Sequence, residues 1–394
     1  MVNNMVDLNP TSAATLAARI YDVQNPMLVD LFLKLPYFKR SDKSTTAQHA
    51  HLKAEVGGRV ILNHKDGFGV CAEGGENNKG EIFLIFRGTT MENKKADVLT
   101  DARIGLSFSS TSRWPVHSGF QHCFESMLPA IRSFFTSFKG SVKTVHCIGH
   151  SLGGAVASLA ADWVAQTLKL PTKLYTFGAP RVGTELFARS TTSAIGEGNI
   201  HRVYHRTDPV PMVPLYPFVH APYDRQGHYL YSAHPLTSAA AHFMANYIAS
   251  VDGKSWQQMC DAPDQPYTIE SAIEDWLKSK SPVDTSSSTF WRWVDSAIIY
   301  VIKKVAMTAI LGIQASFIST FTVADKIAYI LAKGIDLAEN ISIWVERLMR
   351  KLMQAIGMTV AKNKKDLTRS LIRQVLTRLS EKANQHARNA LRKL

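Results

Sequence analysis

The stretch Gly149-His150-Ser151-Leu152-Gly153-Gly154 stands between an apolar run at 142–148 and an Ala-rich run at 152–168. The first run reads as a strand and the second as a helix, so the pattern G-x-S-x-G falls on a strand-to-helix turn. A serine hydroxyl is a weak nucleophile. A hydrolase must expose it, set a base beside it and aim backbone donors at the developing oxyanion. Glycines on both sides of the serine permit a sharp turn that lifts Ser151 clear of a sheet and sets the Leu152 N–H at a helix start. The competing explanation is a glycine-rich turn with an incidental serine, and the strand–turn–helix setting argues against it.

Outward from this turn, Ile82-Phe83-Leu84-Ile85-Phe86 is apolar at every position and bounded by Gly80 and Gly88, the pattern of a strand buried on both faces. Short strands are predicted at 59–62, 67–72, 173–177 and 200–204. Helices are predicted at 119–138, with Phe120, Phe124, Met127, Leu128, Ile131 and Phe135 on one face, and at 11–23 behind Thr11 and Ser12 as caps. Strands alternating with helices predict an α/β fold, a mainly parallel sheet with helices on both faces.

The strand at 200–204 runs into His205-Arg206-Thr207-Asp208-Pro209-Val210-Pro211. Catalytic groups gather at the carboxyl ends of strands in open α/β sheets, and Ser, Asp, His is the chain order expected after a nucleophile turn. Asp208 is the candidate acid, to fix an imidazole tautomer and stabilise imidazolium. An Asp before Pro is also a common turn starter. His220, His228, His234 and His242 all lie downstream, and the residues alone leave the base open among them.

Phe86-Arg87-Gly88-Thr89, Gly149 to Gly154, Thr176-Phe177-Gly178-Ala179-Pro180-Arg181-Val182-Gly183 and Asp208-Pro209-Val210-Pro211 stand in one order. This set resembles the class 3 lipases, the fungal-lipase-like branch of the α/β hydrolases, over about residues 11–251. The resemblance implies Ser151 as nucleophile, Asp208 as acid, and an oxyanion hole from the N–H of Leu152 and from Thr89. It also implies His242 as base, because His242-Phe243-Met244-Ala245-Asn246-Tyr247 matches a family histidine followed five positions later by tyrosine; His228 and His234 are the alternatives. The chain departs from the fungal pattern at Met91-Glu92-Asn93-Lys94-Lys95-Ala96-Asp97, which is polar where fungal members carry an apolar lid. Only 34 residues separate Asp208 from His242, fewer than in the fungal enzymes. Both departures weigh against a fungal-type lid and a preference for triglyceride droplets.

Among 394 residues, 45 Lys and Arg face 32 Asp and Glu, a net of +13. Of these, 18 basic and 8 acidic residues lie in 281–394, so the first 280 residues are nearly neutral and the end of the chain is basic. Length and composition predict a catalytic domain at 1–260, a Pro- and Ser-rich linker at 261–288 and a basic helical module at 289–394. Residues 305–324 carry no charge over a length that just crosses a bilayer, yet Gln314 and several Ser and Thr dilute the run. It reads as a buried helix or hairpin in a bundle, as a segment that inserts into a membrane after release, or as a resident membrane span. The helix expected at 366–394 sets Leu367, Leu371, Val375, Leu379, Ala383, Ala387, Ala390 and Leu394 on one stripe and Arg369, Arg373, Arg378, Lys382, Arg388 and Arg392 elsewhere. Such a helix suits an anionic membrane surface or, equally, a bundle whose charged side faces water.

Four scattered cysteines suggest thiols rather than a disulfide framework. The first ten residues show no secretory signal, which predicts cytoplasmic synthesis and export by a specialised route. No metal, nucleotide or flavin site is expected, and no nucleic-acid motif accompanies the basic helices. The expected function is hydrolysis of carboxylic esters in membrane glycerophospholipid through an acyl-enzyme on Ser151. The alternatives are a neutral-glyceride or soluble-ester esterase, and a membrane- or partner-binding protein with a relic hydrolase domain. The combination resembles bacterial lipase effectors delivered by type VI secretion, which would imply a cognate inhibitor (immunity) protein.

Overall fold

The computed structural model describes residues 7–40, 49–55, 65–89, 105–223, 227–232, 236–259, 269–308 and 322–392. Its first helix, α1 (Pro10–Arg19), starts where Asn9 accepts the Ser12 N–H at 2.7 Å and Pro10 takes the first helical position. Thr11 and Ser12, expected as caps, therefore lie inside the helix. The reason is Pro10: it lacks an N–H to satisfy, has a helical φ, and holds the preceding residue in the extended conformation a cap needs.

The chain continues through α2 (Val29–Phe32), β1 (His49–Glu55), β2 (Lys65–Glu73), β3 (Glu81–Phe86), β4 (Leu106–Phe108), β5 (Pro115–His117), α3 (Ser118–Ser137), β6 (Thr144–His150) and α4 (Leu152–Trp163). Then come β7 (Thr172–Phe177), β8 (Gly183–Thr184), α5 (Glu185–Ile195), β9 (Ile200–His205), β10 (Phe218–Val219), β11 (His228–Leu230) and α6 (Met244–Val251). Seven strands form the central sheet in the order β1-β2-β3-β6-β7-β9-β11. From β3 to β11 they are parallel, and β1 and β2 add an antiparallel edge. A small antiparallel sheet orders β10-β8-β5-β4. This is the expected α/β fold. The strand predicted at 59–62 lies outside the described residues. β1 was not predicted, although its alternating Ala50, Leu52 and Ala54 carry the period-two signal of a strand with one buried face.

Every residue of β6 is buried, Thr144, His146 and His150 included, as its central place in a sheet covered on both faces requires. Val145 and Cys147 pack into the core cluster shared with α3 and α4, while Ile148 packs on the opposite face with residues of α1 and α6. Helices thus cover both faces. Cys71, Cys123 and Cys147 are buried and in no disulfide, and Cys260 lies outside the described residues.

Beyond the sheet stand α7 (Glu270–Lys278), α8 (Ser288–Thr308), α9 (Val323–Ile335), α10 (Glu339–Ala355) and α11 (Arg369–Leu391). In the expected linker, 261–268 fall outside the described residues, while α7 buries Ile273 and Leu277. Thr322 and Asp325 cap the start of α9 reciprocally. Most of the uncharged run at 305–324 lies outside the described residues, and among those described no helix is long and apolar enough to cross a membrane. In α11, Ile372, Val375, Leu376, Leu379, Ala383 and Ala387 are buried, with α9 and α10 against the helix. The apolar stripe a membrane would receive is already covered by protein, so in this conformation α11 is a bundle helix. Arg369, Arg373, Arg378 and Arg392 remain exposed.

Candidate active site

β6 ends at His150 and α4 begins at Leu152, leaving Ser151 alone at the turn with φ 56° and ψ −130°. A non-glycine residue reaches this region only under strain, and its Cβ is thereby pushed up from the sheet edge. Packing explains the flanking glycines. A Cβ on Gly149 would stand 2.2 Å from the Gly153 carbonyl oxygen, and one on Gly153 would stand 2.2 Å from that of Phe86. The turn and its neighbour strand close only if both positions lack a side chain.

The structure brings three side chains together. The Ser151 hydroxyl donates to Nε2 of His242 at 2.9 Å, and His242 Nδ1 donates to Oδ2 of Asp208 at 2.8 Å. Asp208 follows β9, and its Oδ1 accepts the Val210 N–H at 2.9 Å, which orients the carboxylate. His242 closes a short turn at Ala240–His242, just ahead of α6. From α6, Tyr247 donates its hydroxyl to Asp208 Oδ2 at 2.7 Å and accepts the His205 N–H at 3.2 Å. A carboxylate that receives three donors is held in one rotamer, and through it the imidazole keeps its proton on Nδ1 and its lone pair towards the serine. Burial beside that carboxylate holds the Tyr247 hydroxyl well above its ordinary pKa, so it remains a donor.

Ser151 and His242 are 0% exposed and Asp208 1%. Leu152 opens α4, where a helix has N–H groups with no carbonyl partner in the preceding turn. Thr89 is buried just beyond β3, whose Phe86 pairs with Gly149, and a Cβ on the adjoining Gly88 would stand 3.0 Å from Ser151 Cβ. Both expected oxyanion residues thus sit at the level of the serine.

The alternative bases lie elsewhere. His228 is in β11, its Nε2 3.3 Å from His201 Nδ1 and its Nδ1 3.4 Å from the Met259 carbonyl oxygen, and burial lowers its pKa to about 4. His220 donates to the Pro211 carbonyl at 2.8 Å. His234 lies outside the described residues. Sequence reasoning missed Tyr21, whose hydroxyl is 2.7 Å from His150 Nδ1, and the structural use of His150 itself. The one available signal was the place of His150 inside the motif. Among the described residues no group of three or more His, Cys, Asp and Glu is disposed to hold a metal ion.

Residues 83–218 match the family model of lipase (class 3). Over that stretch, about a third of its length, the chain is similar to the class 3 lipases. Over 101 residues it is 40% identical to "Secreted mono- and diacylglycerol lipase 1" of Fusarium solani, covering 25% of this chain and 29% of that protein. Over 100 residues it is 33% identical to "Toxin TseL" of Vibrio cholerae, covering 25% of this chain and 15% of that one. Among solved structures, the Lip2 lipase from Yarrowia lipolytica aligns at TM-score 0.39 and 22% identity, over 57% of this chain and 78% of that chain. The chain spans less than a third of the length of these curated relatives. The four motifs from Phe86 to Pro211 all fall within the part matched by the lipase family model.

Proposed function

We propose that this lipase domain hydrolyses carboxylic esters of membrane glycerophospholipids, with Ser151 as nucleophile, His242 as general base and acid, and Asp208 as its orienting carboxylate. The observation that carries the reading is the continuous path of hydrogen bonds from Ser151 Oγ through His242 to Asp208, at 2.9 and 2.8 Å. In the reaction, His242 Nε2 takes the serine proton as Oγ attacks the ester carbon, and the N–H of Leu152 with Thr89 stabilises the oxyanion. The imidazolium returns the proton to the departing alcohol, and water activated by His242 releases the fatty acid from Ser151. No metal, nucleotide or other cofactor is needed.

The choice of phospholipid rests on charge. The residues after 281 carry most of the excess of +13, and the exposed arginines of α11 suit an anionic lipid surface, each worth on the order of 1 kcal/mol there. Nucleic acid is the less suitable polyanion, for want of a recognition motif. We read residues 1–260 as the catalytic domain, 261–288 as a connection and 289–394 as a helical module. The relative named a toxin supports delivery as an antibacterial effector, exported by a specialised secretion system and matched by an immunity protein in the producing cell. Purified protein should release fatty acid from phosphatidylethanolamine and phosphatidylglycerol vesicles, and Ser151→Ala should lose at least about 10³-fold. An inactive wild type on both vesicles overturns the reading.

A second reading has its own support. The relatives named mono- and diacylglycerol lipases favour a neutral partial glyceride as substrate. Faster turnover of monoacylglycerol than of either phospholipid, at equal surface density, would select it.

A further inference from the structure

We infer that the C-terminal helices brace the two loops carrying Asp208 and His242, with Asp295 of α8 as a positioning residue for that pair. The inference rests on the triad reading above. Asp295 is 7% exposed, and its carboxylate reaches out of the helical bundle into the catalytic domain. Oδ1 accepts the Tyr216 N–H at 3.0 Å, and Oδ2 lies 2.5 Å from Nη2 of Arg181. Arg181 holds the same segment from its other side: its backbone N–H donates to the Val213 carbonyl at 2.9 Å and Nη1 donates to that of Pro214 at 3.3 Å. Residues 213–216 follow directly on the turn at Val210–Met212 that orients Asp208. One largely desolvated ion pair, half of it supplied by α8, thus clamps the end of the acid loop. Removing one partner strands the other charge in a poorly solvated place.

The histidine's segment is held by the same bundle. Leu236 forms an isolated bridge with Ser287, and the Thr237 N–H donates to the Ser286 carbonyl at 2.8 Å. The next N–H, of Ser238, donates to the Thr207 carbonyl at 2.9 Å, beside Asp208. The strap before α8 is fixed in turn by Trp291, which donates from Nε1 to the Thr285 carbonyl at 3.0 Å and stands edge-on to His386 of α11. α11 packs against both Val210–Met212 and Ala240–His242. Apolar contacts complete the brace: Val210, Met212, Val213 and Leu215 share one core cluster with Phe290, Trp291 and Val294. A misplacement of about 1 Å in such a pair costs about 10²-fold in rate, so a module that sets both loops sets the activity.

The test uses the full chain with Asp295→Ala and Asp295→Asn, a soluble short-chain p-nitrophenyl ester, thermal melting, and the low-field proton NMR signal of the His242–Asp208 hydrogen bond. Asp295→Ala should lower kcat about tenfold with KM within about twofold, and should shift or broaden the low-field signal. Asp295→Asn keeps an acceptor for the Tyr216 N–H and should lose about threefold, which serves as the decisive variant should the alanine protein not fold. A folded variant with wild-type kcat and an unmoved signal overturns the brace, as does a change in melting temperature alone. The NMR signal needs no turnover. A wild type inactive on every ester would therefore sink the esterase reading while the signal still decides the brace.

Discussion

His150 Nε2 lies 2.9 Å from the carbonyl oxygen of His242, so the residue before the serine is tied to the backbone of the histidine facing it. A carbonyl only accepts, so Nε2 carries the proton, Nδ1 is an acceptor, and the Tyr21 hydroxyl 2.7 Å away must donate. Burial, with His242 nearby, holds the His150 pKa well below its ordinary value, which keeps the ring neutral and this assignment intact. The Tyr21 hydroxyl also packs against Gly88, next to Thr89, where an added Cβ would stand 2.3 Å from it. One neutral imidazole therefore links the strand end at Thr89, the turn at Ser151 and the backbone of His242.

Tyr21→Phe should leave His150 Nδ1 without its donor and free the ring to adopt the other tautomer, which would turn a lone pair against the His242 carbonyl. The expected loss is about 1–3 kcal/mol of stability, with kcat down several-fold. Urea melts and ester kinetics on the same preparation check it; wild-type values in both would refute the relay.

Gly178→Ala tests the packing behind the acid–base pair. Gly178 has φ +55°, and a Cβ there would stand 2.7 Å from Asp208 Oδ2, 2.9 Å from Tyr247 Oη and 3.0 Å from His242 Nδ1. The methyl group has to displace the polar atoms that align the imidazole. We expect kcat to fall by about 10²-fold, with fluorophosphonate labelling of Ser151 slowed in parallel. Labelling at the wild-type rate would mean the pair tolerates the displacement.

Tyr247→Phe removes one of the donors to Asp208 and leaves the His205 N–H without its acceptor. A buried polar group so stranded costs about 1–3 kcal/mol. Lower thermal stability and a several-fold fall in kcat should appear together, since one hydroxyl serves both. A fall in stability alone would limit Tyr247 to packing.

Asp162, fully buried at the end of α4, accepts from Thr191 at 2.8 Å and Gln166 at 2.6 Å, yet burial raises its pKa from an ordinary 3.8 to about 6. Between those values the folded state binds more protons than the unfolded chain, so this group's contribution to stability is full below about pH 4 and is lost as pH rises to about 6. The loss is about 3 kcal/mol. Asp162→Asn does not titrate, and every other group cancels in the comparison. The stability of the Asn variant relative to wild type should therefore increase from pH 4 to pH 7 in urea titrations; a constant difference would contradict the assignment.

Local patterns carried much of this architecture. The unbroken apolar run at 82–86, the Ala-rich stretch after Ser151 and the glycines at 149 and 153 each state a requirement that neighbouring atoms impose, and such requirements are visible without the partner. β11 was less legible, because a three-residue strand holding His and Tyr depends on the pairing it receives at a sheet edge.

The sequence by itself determined the strand–serine–helix turn, the place of Asp208 after a sheet strand and the amphipathic, basic character of the last helix. Each of these is written in spacing and residue type over a few turns of chain. Tertiary structure decided which of His220, His228, His234 and His242 meets Ser151, a choice that the residues alone leave open and that the resemblance gave to His242, because it depends on how a segment 91 residues downstream is returned to the sheet. It also decided that the apolar stripe of α11 packs on other helices, and that Asp295 reaches the acid loop. Periodicity shows that a face must be buried, and only the folded chain supplies what buries it.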